Sequence, residues 1–362
     1  MRALSIIIGV VATLACAMPA AADGLKLAVV APTDGPNGIL GAQVLAGARM
    51  AAEARGDTVV PIAEACDEAA DGAVATAILG AGVDAAVGFL CTDALSAALP
   101  ALAEAGIPAI TVSVRAGVLM EDALKKDWPL FRLAPAPGAE AEKAVEVITR
   151  DWAAEPFALI DDGTIHAREL TEAIRLKLDE LGLKPAFVDT FRPAQEQQLA
   201  LVRRLSSTGV TRVFIGGDRT DTAIIARDAK AEGFAMRFLG GEALMGADQP
   251  VALPDGVRAI ALPPYDRLPA ADAVVKAFAE EEIVAEGYVL PAHAAATIAL
   301  TAVEIAGREE RPITETILKG RFDTVIGPIR FGASHELAEN PYRLLEWRSG
   351  AFVPVDPQGQ GQ

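Results

Sequence analysis

Short apolar runs alternate with helical segments through most of this chain, and this alternation limits the possible fold more than any other feature. One series begins with LKLAVVA at 25–31, and a second begins with FALIDD at 157–162. Near-continuous apolar strands separated by helices are typical of parallel sheets that are covered on both faces. Two such series predict an α/β protein with two doubly wound lobes. In such sheets ligands bind beyond the carboxyl ends of the strands.

The N-terminus has the composition of a secretory signal. Met1 and Arg2 precede a short apolar run, which is followed by PAAAD at 19–23. This order predicts a cleavable signal over residues 1–22 and export to the periplasm. A membrane anchor fits less well because Pro19 interrupts the run, which is shorter than the about 20 residues that a span needs. Leu14-Ala15-Cys16 loosely resembles a lipid-attachment motif, so lipidation of Cys16 stays an alternative.

Charge and motif content exclude several classes of function. The formal net charge is −17, whereas nucleic acids and anionic lipids are bound by basic patches. The sequence has no G-x-S-x-G elbow, no phosphate-binding loop and no G-x-G-x-x-G after a strand, and its three histidines, His166, His293 and His335, are far apart. We therefore expect a non-catalytic protein without a cofactor, a metal or a nucleic-acid partner.

Two cysteines remain once the signal is removed. Cys66 and Cys91 lie 25 positions apart, in a protein that is expected to reach an oxidising compartment. An even number of cysteines in an exported protein predicts a disulfide. Two free buried thiols are an alternative. A metal site is another, although no His or further Cys lies at ligand spacing.

Four stretches give the chain a resemblance to a known family. They are LKLAVVAPTDGPNGILGAQVLAGARMA from residue 25, the cysteine pair in ACDEA and VGFLCTDA, FLGGEAL at 238–244, and DTVIGPIRF at 323–331. In this order they resemble the Leu/Ile/Val-binding type of periplasmic solute receptor, the extracellular component of branched-chain amino-acid ABC importers. The resemblance covers nearly the whole chain after the signal. It implies the type I periplasmic-binding fold, in which two lobes are joined by a three-segment hinge and close around a solute.

The resemblance also implies domain boundaries, with crossings between the lobes near residues 136, 264 and 328. The resulting division is a signal at 1–22, lobe 1 at 23–136 plus 265–327, lobe 2 at 137–264 plus 328–350, and a disordered tail at 351–362. YRLLEWRSGAFVPV, at 342–355, is expected to form a final antiparallel pair.

Ligand contacts carry over from the family one residue at a time. Thr92, Ser113 and Arg115 fall on the loops that hold the amino-acid carboxylate. Glu242 falls on the acid that binds the ammonium group, whereas the second acid of the family falls on Pro137. The remaining candidates stand at aromatic positions of the family: Leu40, His166, Asp218 and Tyr288.

Each of these residues also has an ordinary structural interpretation. Thr92 and Asp218 are natural helix caps, and Arg115 could pair with a surface acid. His166 and Glu242 could be solvated surface residues, and Tyr288 could pack in the core. Sequence alone leaves these alternatives open.

The resemblance implies a function as the periplasmic substrate-binding component of an ABC importer. We expect a monomer that captures a small carboxylate-bearing solute and delivers it to an inner-membrane permease. The changed aromatic positions favour an amino acid with a polar or charged side chain, or an organic acid, rather than leucine. The alternative function is a ligand-sensing subunit of the same fold that feeds a signalling receptor.

Overall fold

The computed structural model describes residues 24–66, 72–247 and 250–355. The predicted signal, Cys16 and residues 356–362 of the predicted tail lie outside the described residues. The strands of the described residues form two large sheets and one short hairpin.

Lobe 1 is built on a five-stranded parallel sheet in the order β2-β1-β3-β4-β5. Its strands are β1 (Lys26–Ala31), β2 (Thr58–Ala63), β3 (Ala85–Gly88), β4 (Ala109–Thr111) and β5 (Leu130–Arg132). The helices between them are α1 (Gly38–Glu53), α2 (Ala73–Ala81), α3 (Thr92–Glu104) and α4 (Gly117–Lys125). Three later helices join the same lobe: α9 (Asp272–Glu280), α10 (Val289–Glu309) and α11 (Ile313–Lys319).

Strand β1 shows why the alternation of apolar runs and helices produces this layering. Five of its six residues are buried. Leu27 and Val29 pack with α1 and α10, whereas Ala28 and Val30 pack with α2 and α3. Because successive side chains of a strand point to opposite faces, a strand that is covered by helices on both sides needs an unbroken apolar run.

Lobe 2 is built on a seven-stranded sheet in the order β14-β13-β10-β9-β8-β6-β7. Its strands are β6 (Phe157–Asp161), β7 (Phe187–Thr190), β8 (Arg212–Gly216), β9 (Arg237–Gly240), β10 (Arg258–Ala261), β13 (Arg343–Arg348) and β14 (Ala351–Pro354). Its helices are α5 (Ala139–Trp152), α6 (Ile165–Glu180), α7 (Leu199–Ser207), α8 (Arg219–Ala231) and a 3-10 helix at Glu242–Met245. Strands β6 to β10 pair in parallel, and β13 and β14 extend the sheet antiparallel. The predicted fold of two doubly wound lobes is confirmed.

Helix α10 is the central helix of lobe 1. Among the described residues it alone is long and apolar enough to cross a bilayer by length and composition, and most of it is buried within the lobe. It lies directly against α1 because Gly47 of α1 has no side chain. A Cβ at Gly47 would collide with the carbonyl oxygen of Val289. This close contact positions Tyr288, which precedes α10, beside the start of α1.

The chain passes between the lobes three times. The first passage lies between Arg132, the end of β5, and α5, and the second lies between β10 and α9. The third passage lies in the segment before Tyr342. Phe331 and Leu337 still pack into lobe 1, and Tyr342 is the next residue to join the core of lobe 2. In this segment Glu336 forms an ion pair with Arg132 at the end of β5, which holds the chain on lobe 1.

Two C-terminal features complete the fold. Strands β11 (Phe322–Thr324) and β12 (Gly327–Ile329) form an antiparallel hairpin against lobe 1. The final antiparallel pair is present as β13 and β14, so the first residues of the predicted tail are ordered. Phe352 of β14 is buried against Trp347 of β13, with ring centroids 5.1 Å apart. The predicted domain boundaries stay predictions.

Candidate functional site

The loop after β4 takes its shape from one buried hydroxyl. Thr111, the last residue of β4, is fully buried and donates to the carbonyl oxygen of Phe89 at 2.9 Å. The same hydroxyl accepts the backbone N–H groups of Ser113 at 3.3 Å and Val114 at 3.0 Å. These bonds turn the chain sharply at the carboxyl end of the strand. Ser113 and Arg115 therefore emerge at the edge of lobe 1 where a solute would bind.

Ser113 and Tyr288 form a pair of hydroxyl groups at this edge. Their oxygens share a hydrogen bond of 2.9 Å. The backbone N–H of Tyr288 donates to the side-chain oxygen of Gln43, in α1, at 3.1 Å. Gln43 thus fixes the segment before α10, and two hydroxyl groups from distant parts of the chain meet at one point.

Glu242 occupies the corresponding edge of lobe 2. It follows β9 and begins the 3-10 helix, and its backbone N–H donates to the carboxylate of Glu140 at 2.7 Å. Gly241 leaves room for Glu140, because a Cβ there would meet the ends of the Glu140 and Leu170 side chains and force them to shift. The hydroxyl of Tyr342 donates to Oε2 of Glu242 at 2.9 Å. Glu242 is therefore held through both its backbone and its side chain.

Arg115 connects the two lobes across the cleft. Its guanidinium lies 3.4 Å from the hydroxyl of Tyr342 and 3.9 Å from the carboxylate of Glu242. Half of the Arg115 side chain and 31% of the Glu242 side chain are exposed, so both charges remain accessible to a solute. A cation on lobe 1 and an anion on lobe 2 thus face each other at short range.

The pKa values of the surrounding groups reflect this arrangement. Partial burial lowers the pKa of Arg115, but Tyr342, Glu242 and Tyr288 more than offset it, and the net direction is upward. Burial and the charge of Glu242 raise the pKa of Tyr342. Burial also raises the pKa of Glu140, which the bond from the Glu242 N–H opposes. His166, the second residue of α6, is exposed, and its contact with a ligand stays a prediction.

The other predicted residues have different surroundings. Asp218 is the N-cap of α8 and accepts the backbone N–H of Asp221 at 2.8 Å, so its capping interpretation is confirmed. Thr92 is exposed and is the first residue of α3, whose N-cap is Cys91, so its interpretation as a helix cap is wrong. Leu40 is half-buried in the first turn of α1. For these three residues a ligand contact stays a prediction.

Sequence reasoning missed Glu140 and Tyr342. The acid of the family was expected at Pro137, and Glu140 stands three residues later in the first turn of α5. An acid so close to the expected position was a usable signal. Tyr342 had no comparable signal, because it lies 100 residues from its partner Glu242.

Cys66 and Cys91 form a disulfide, with their Cα atoms 5.3 Å apart. Glu64 is buried beside it and accepts the backbone N–H groups of Leu90 at 2.9 Å and Cys91 at 3.1 Å. Burial raises the pKa of Glu64 to about 7, although the two N–H bonds oppose the shift. Glu64 and both sulfurs lie within 4.8 Å of one another. Metals are bound by thiolates, and the two sulfurs of a disulfide are not thiolates. The disulfide therefore rules out both the metal site and the pair of free thiols.

A cavity of about 1130 Å³ opens elsewhere, at the amino ends of β8, β9 and β10. It lies at the opposite edge of the lobe 2 sheet from Glu242. In open parallel sheets ligands bind at the carboxyl ends, where backbone dipoles and loops converge. The candidate site is therefore the interlobe cluster of Ser113, Arg115, Tyr288, Glu242 and Tyr342.

Comparison with known proteins gives a consistent picture. A family model described as "Periplasmic binding protein" matches residues 24–351. A leucine-, isoleucine-, valine-, threonine- and alanine-binding protein of Pseudomonas aeruginosa is 25% identical over 346 residues, which cover 91% of this chain and 92% of that protein.

Two solved structures share the fold. An ABC transporter substrate-binding protein of Desulfitobacterium hafniense in complex with Leu has a TM-score of 0.65 and 16% identity, covering 92% of this chain and all of the other. A solute-binding protein of Rhodopseudomonas palustris in complex with p-hydroxybenzoic acid has a TM-score of 0.63 and 14% identity, covering 92% and 95%. At these identities the likeness establishes the fold and leaves the solute open.

Proposed function

Because this chain belongs to the periplasmic binding protein family, we propose that it captures an amino acid between its lobes and delivers it to an ABC permease. The resemblance that the four sequence stretches indicated is confirmed, and the family consists of substrate-binding proteins of transporters rather than enzymes. The observation that carries the choice of solute is the opposed pair of charges, Arg115 on lobe 1 and Glu242 on lobe 2, 3.9 Å apart.

An α-amino acid has the complementary charges on adjacent carbon atoms. Its carboxylate would accept hydrogen bonds from Arg115 and from the hydroxyls of Ser113 and Tyr288. An arginine can hold a carboxylate with two parallel N–H bonds. Its ammonium group would donate to Glu242, whose Oε2 already accepts from Tyr342. The solute would then take over the contact that Arg115 and Glu242 make with each other.

Glu242 and Glu140 favour this solute class over a simple organic acid. The solved relatives include one with leucine and one with p-hydroxybenzoic acid, so the fold accommodates both kinds of solute. A carboxylate without an amino group would meet two acidic side chains on lobe 2 and offer neither of them a cation. A charge that is desolvated without a partner is costly. The lobe 2 side of the cleft therefore supports a solute that carries a positive nitrogen.

Capture follows from contacts with both lobes. A solute that binds lobe 1 and lobe 2 at once stabilises the closed form, by as much as its preference for closed over open. We propose that the protein acts in the periplasm as a monomer after removal of residues 1–22. The family assignment and a solved relative named as an ABC transporter substrate-binding protein support the periplasmic setting.

The test is a thermal-shift screen of refolded protein, so that solute carried over from cells is removed first. Each standard L-amino acid is compared with its analogue that has hydrogen in place of the α-amino group. A ligand that binds only the native state raises the Tm by mass action. We expect one or more amino acids to raise the Tm and their analogues to leave it unchanged at equal concentration. Equal shifts by an amino acid and its analogue would remove Glu242 as an ammonium receptor.

A further inference from the structure

Glu242 reaches the cleft from a rigid support. Its backbone is fixed by Glu140, and Oε2 of its side chain accepts the hydroxyl of Tyr342 at 2.9 Å. This leaves the second carboxylate oxygen, Oε1, available to a solute. A glutamate that is 31% exposed would otherwise sample several rotamers and would lose that freedom when it binds a ligand.

Tyr342 is itself held firmly. Its side chain is 1% exposed and packs in the core of lobe 2 beside Ala139 and Leu344. Its backbone N–H donates to the side-chain oxygen of Asn340 at 2.9 Å, and the amide nitrogen of Asn340 donates to the carbonyl of Ala139 at 2.7 Å. The tyrosine hydroxyl is therefore a fixed point between the third passage and the start of α5.

We propose that Tyr342 is a positioning residue that fixes Glu242 for the amino group of the solute and so contributes to selectivity for amine-bearing solutes. The inference rests on the proposed function. Its physical basis is preorganisation, because a carboxylate held in its bound geometry loses less conformational entropy on binding. A hydrogen bond to a charged group is also among the stronger ones in proteins.

The position of Tyr342 adds a second consequence. Its hydroxyl lies 3.4 Å from the guanidinium of Arg115, so one buried group contacts both charges of the site. Tyr342 follows the third passage directly and belongs to lobe 2, whereas Arg115 belongs to lobe 1. The contact therefore depends on the angle between the lobes and forms only when they approach each other.

A double-mutant cycle tests the proposal. The probe is the L-amino acid that raises the Tm of the wild-type protein most, and its Kd is measured by calorimetry for the wild type, Tyr342→Phe, Glu242→Gln and the double variant. Tyr342→Phe keeps the buried ring, so the fold should persist. We expect it to weaken binding about tenfold. In the Glu242→Gln background the same substitution should cause a clearly smaller loss, because most of the effect of Tyr342 acts through that carboxylate and only its contact with Arg115 remains.

Tyr265→Phe is the matched control. Tyr265 lies near the same carboxylate, and burial together with the charge of Glu242 raises its pKa to about 12. Among the described residues its hydroxyl makes no hydrogen bond, so its removal should leave the Kd unchanged.

The outcomes separate the two proposals. An equal loss from Tyr342→Phe in both backgrounds would indicate a general structural effect and overturn the positioning role. An unchanged Kd for Tyr342→Phe, with a weakened Glu242→Gln, would also overturn it while leaving the proposed function intact. An unchanged Kd for Glu242→Gln would instead refute the proposed site.

Discussion

Glu64 should make the stability of the protein depend on pH in a direction that is unusual for a carboxylate. Its pKa is raised from the usual 4.5 to about 7 by burial. Between these values the folded protein binds a proton that the unfolded chain has released. The contribution of Glu64 to the free energy of unfolding is therefore greatest at low pH and is lost as the pH rises towards 7. From pH 5 to pH 8 the loss amounts to about 2.5 kcal/mol.

Glu64→Gln should abolish this dependence. The amide oxygen can still accept one of the two N–H groups of Leu90 and Cys91, but the other loses its acceptor. The lost hydrogen bond lowers the free energy of unfolding by about 1–3 kcal/mol, equally at every pH. It therefore adds a constant offset and does not alter how the free energy of unfolding depends on pH. The test is therefore the difference in unfolding free energy between variant and wild type, measured by urea denaturation with the disulfide intact.

We expect this difference to move in favour of the variant by about 2.5 kcal/mol between pH 5 and pH 8. Glu104→Gln is the control, since Glu104 is exposed at the end of α3. Its profile should run parallel to that of the wild type. A Glu64→Gln profile that is also parallel would show that the buried carboxyl keeps its charge in the folded state, and would refute the reasoning.

Three further predictions concern the site, a buried histidine and the disulfide. Arg115→Ala and Glu242→Gln should each weaken binding of an amino acid at least tenfold, about 1.4 kcal/mol; wild-type isotherms for both would remove them from the site. Burial lowers the pKa of His293 to about 4, so stability from this group is lost as the pH falls from 6.5 towards 4. His293→Gln should reduce that loss in acid unfolding, and an unchanged acid midpoint would contradict it. Denatured, unreduced protein should show no thiol from Cys66 or Cys91, and replacing both by serine should lower stability by about 3–4 kcal/mol; two titratable thiols would rule the bridge out.

The fold could be predicted from local patterns because each parallel strand buries both of its faces. FALIDD became β6 and LKLAVVA gave β1, since an unbroken apolar run has few other stable positions in an α/β protein. The segment before the third passage is held on lobe 1 by the ion pair between Arg132 and Glu336. That contact joins residues 204 positions apart, and no local pattern reports it.

The candidate site was predictable to the extent that it follows strand ends. Ser113 and Arg115 come two and four residues after β4, and Glu242 comes two residues after β9. Their neighbours come from elsewhere. Tyr342 reaches Glu242 only because the third passage returns the chain to lobe 2. The contact between Arg115 and Glu242 depends on how the two lobes approach, which the sequence of either lobe does not specify.

A crystal structure of the refolded protein with a bound amino acid would test the central claim most directly. Density for the solute should lie between the lobes, with its carboxylate against Arg115 and Ser113 and its ammonium group against Glu242. Density for the solute in the cavity at the amino ends of β8–β10, with the cleft empty, would contradict the account.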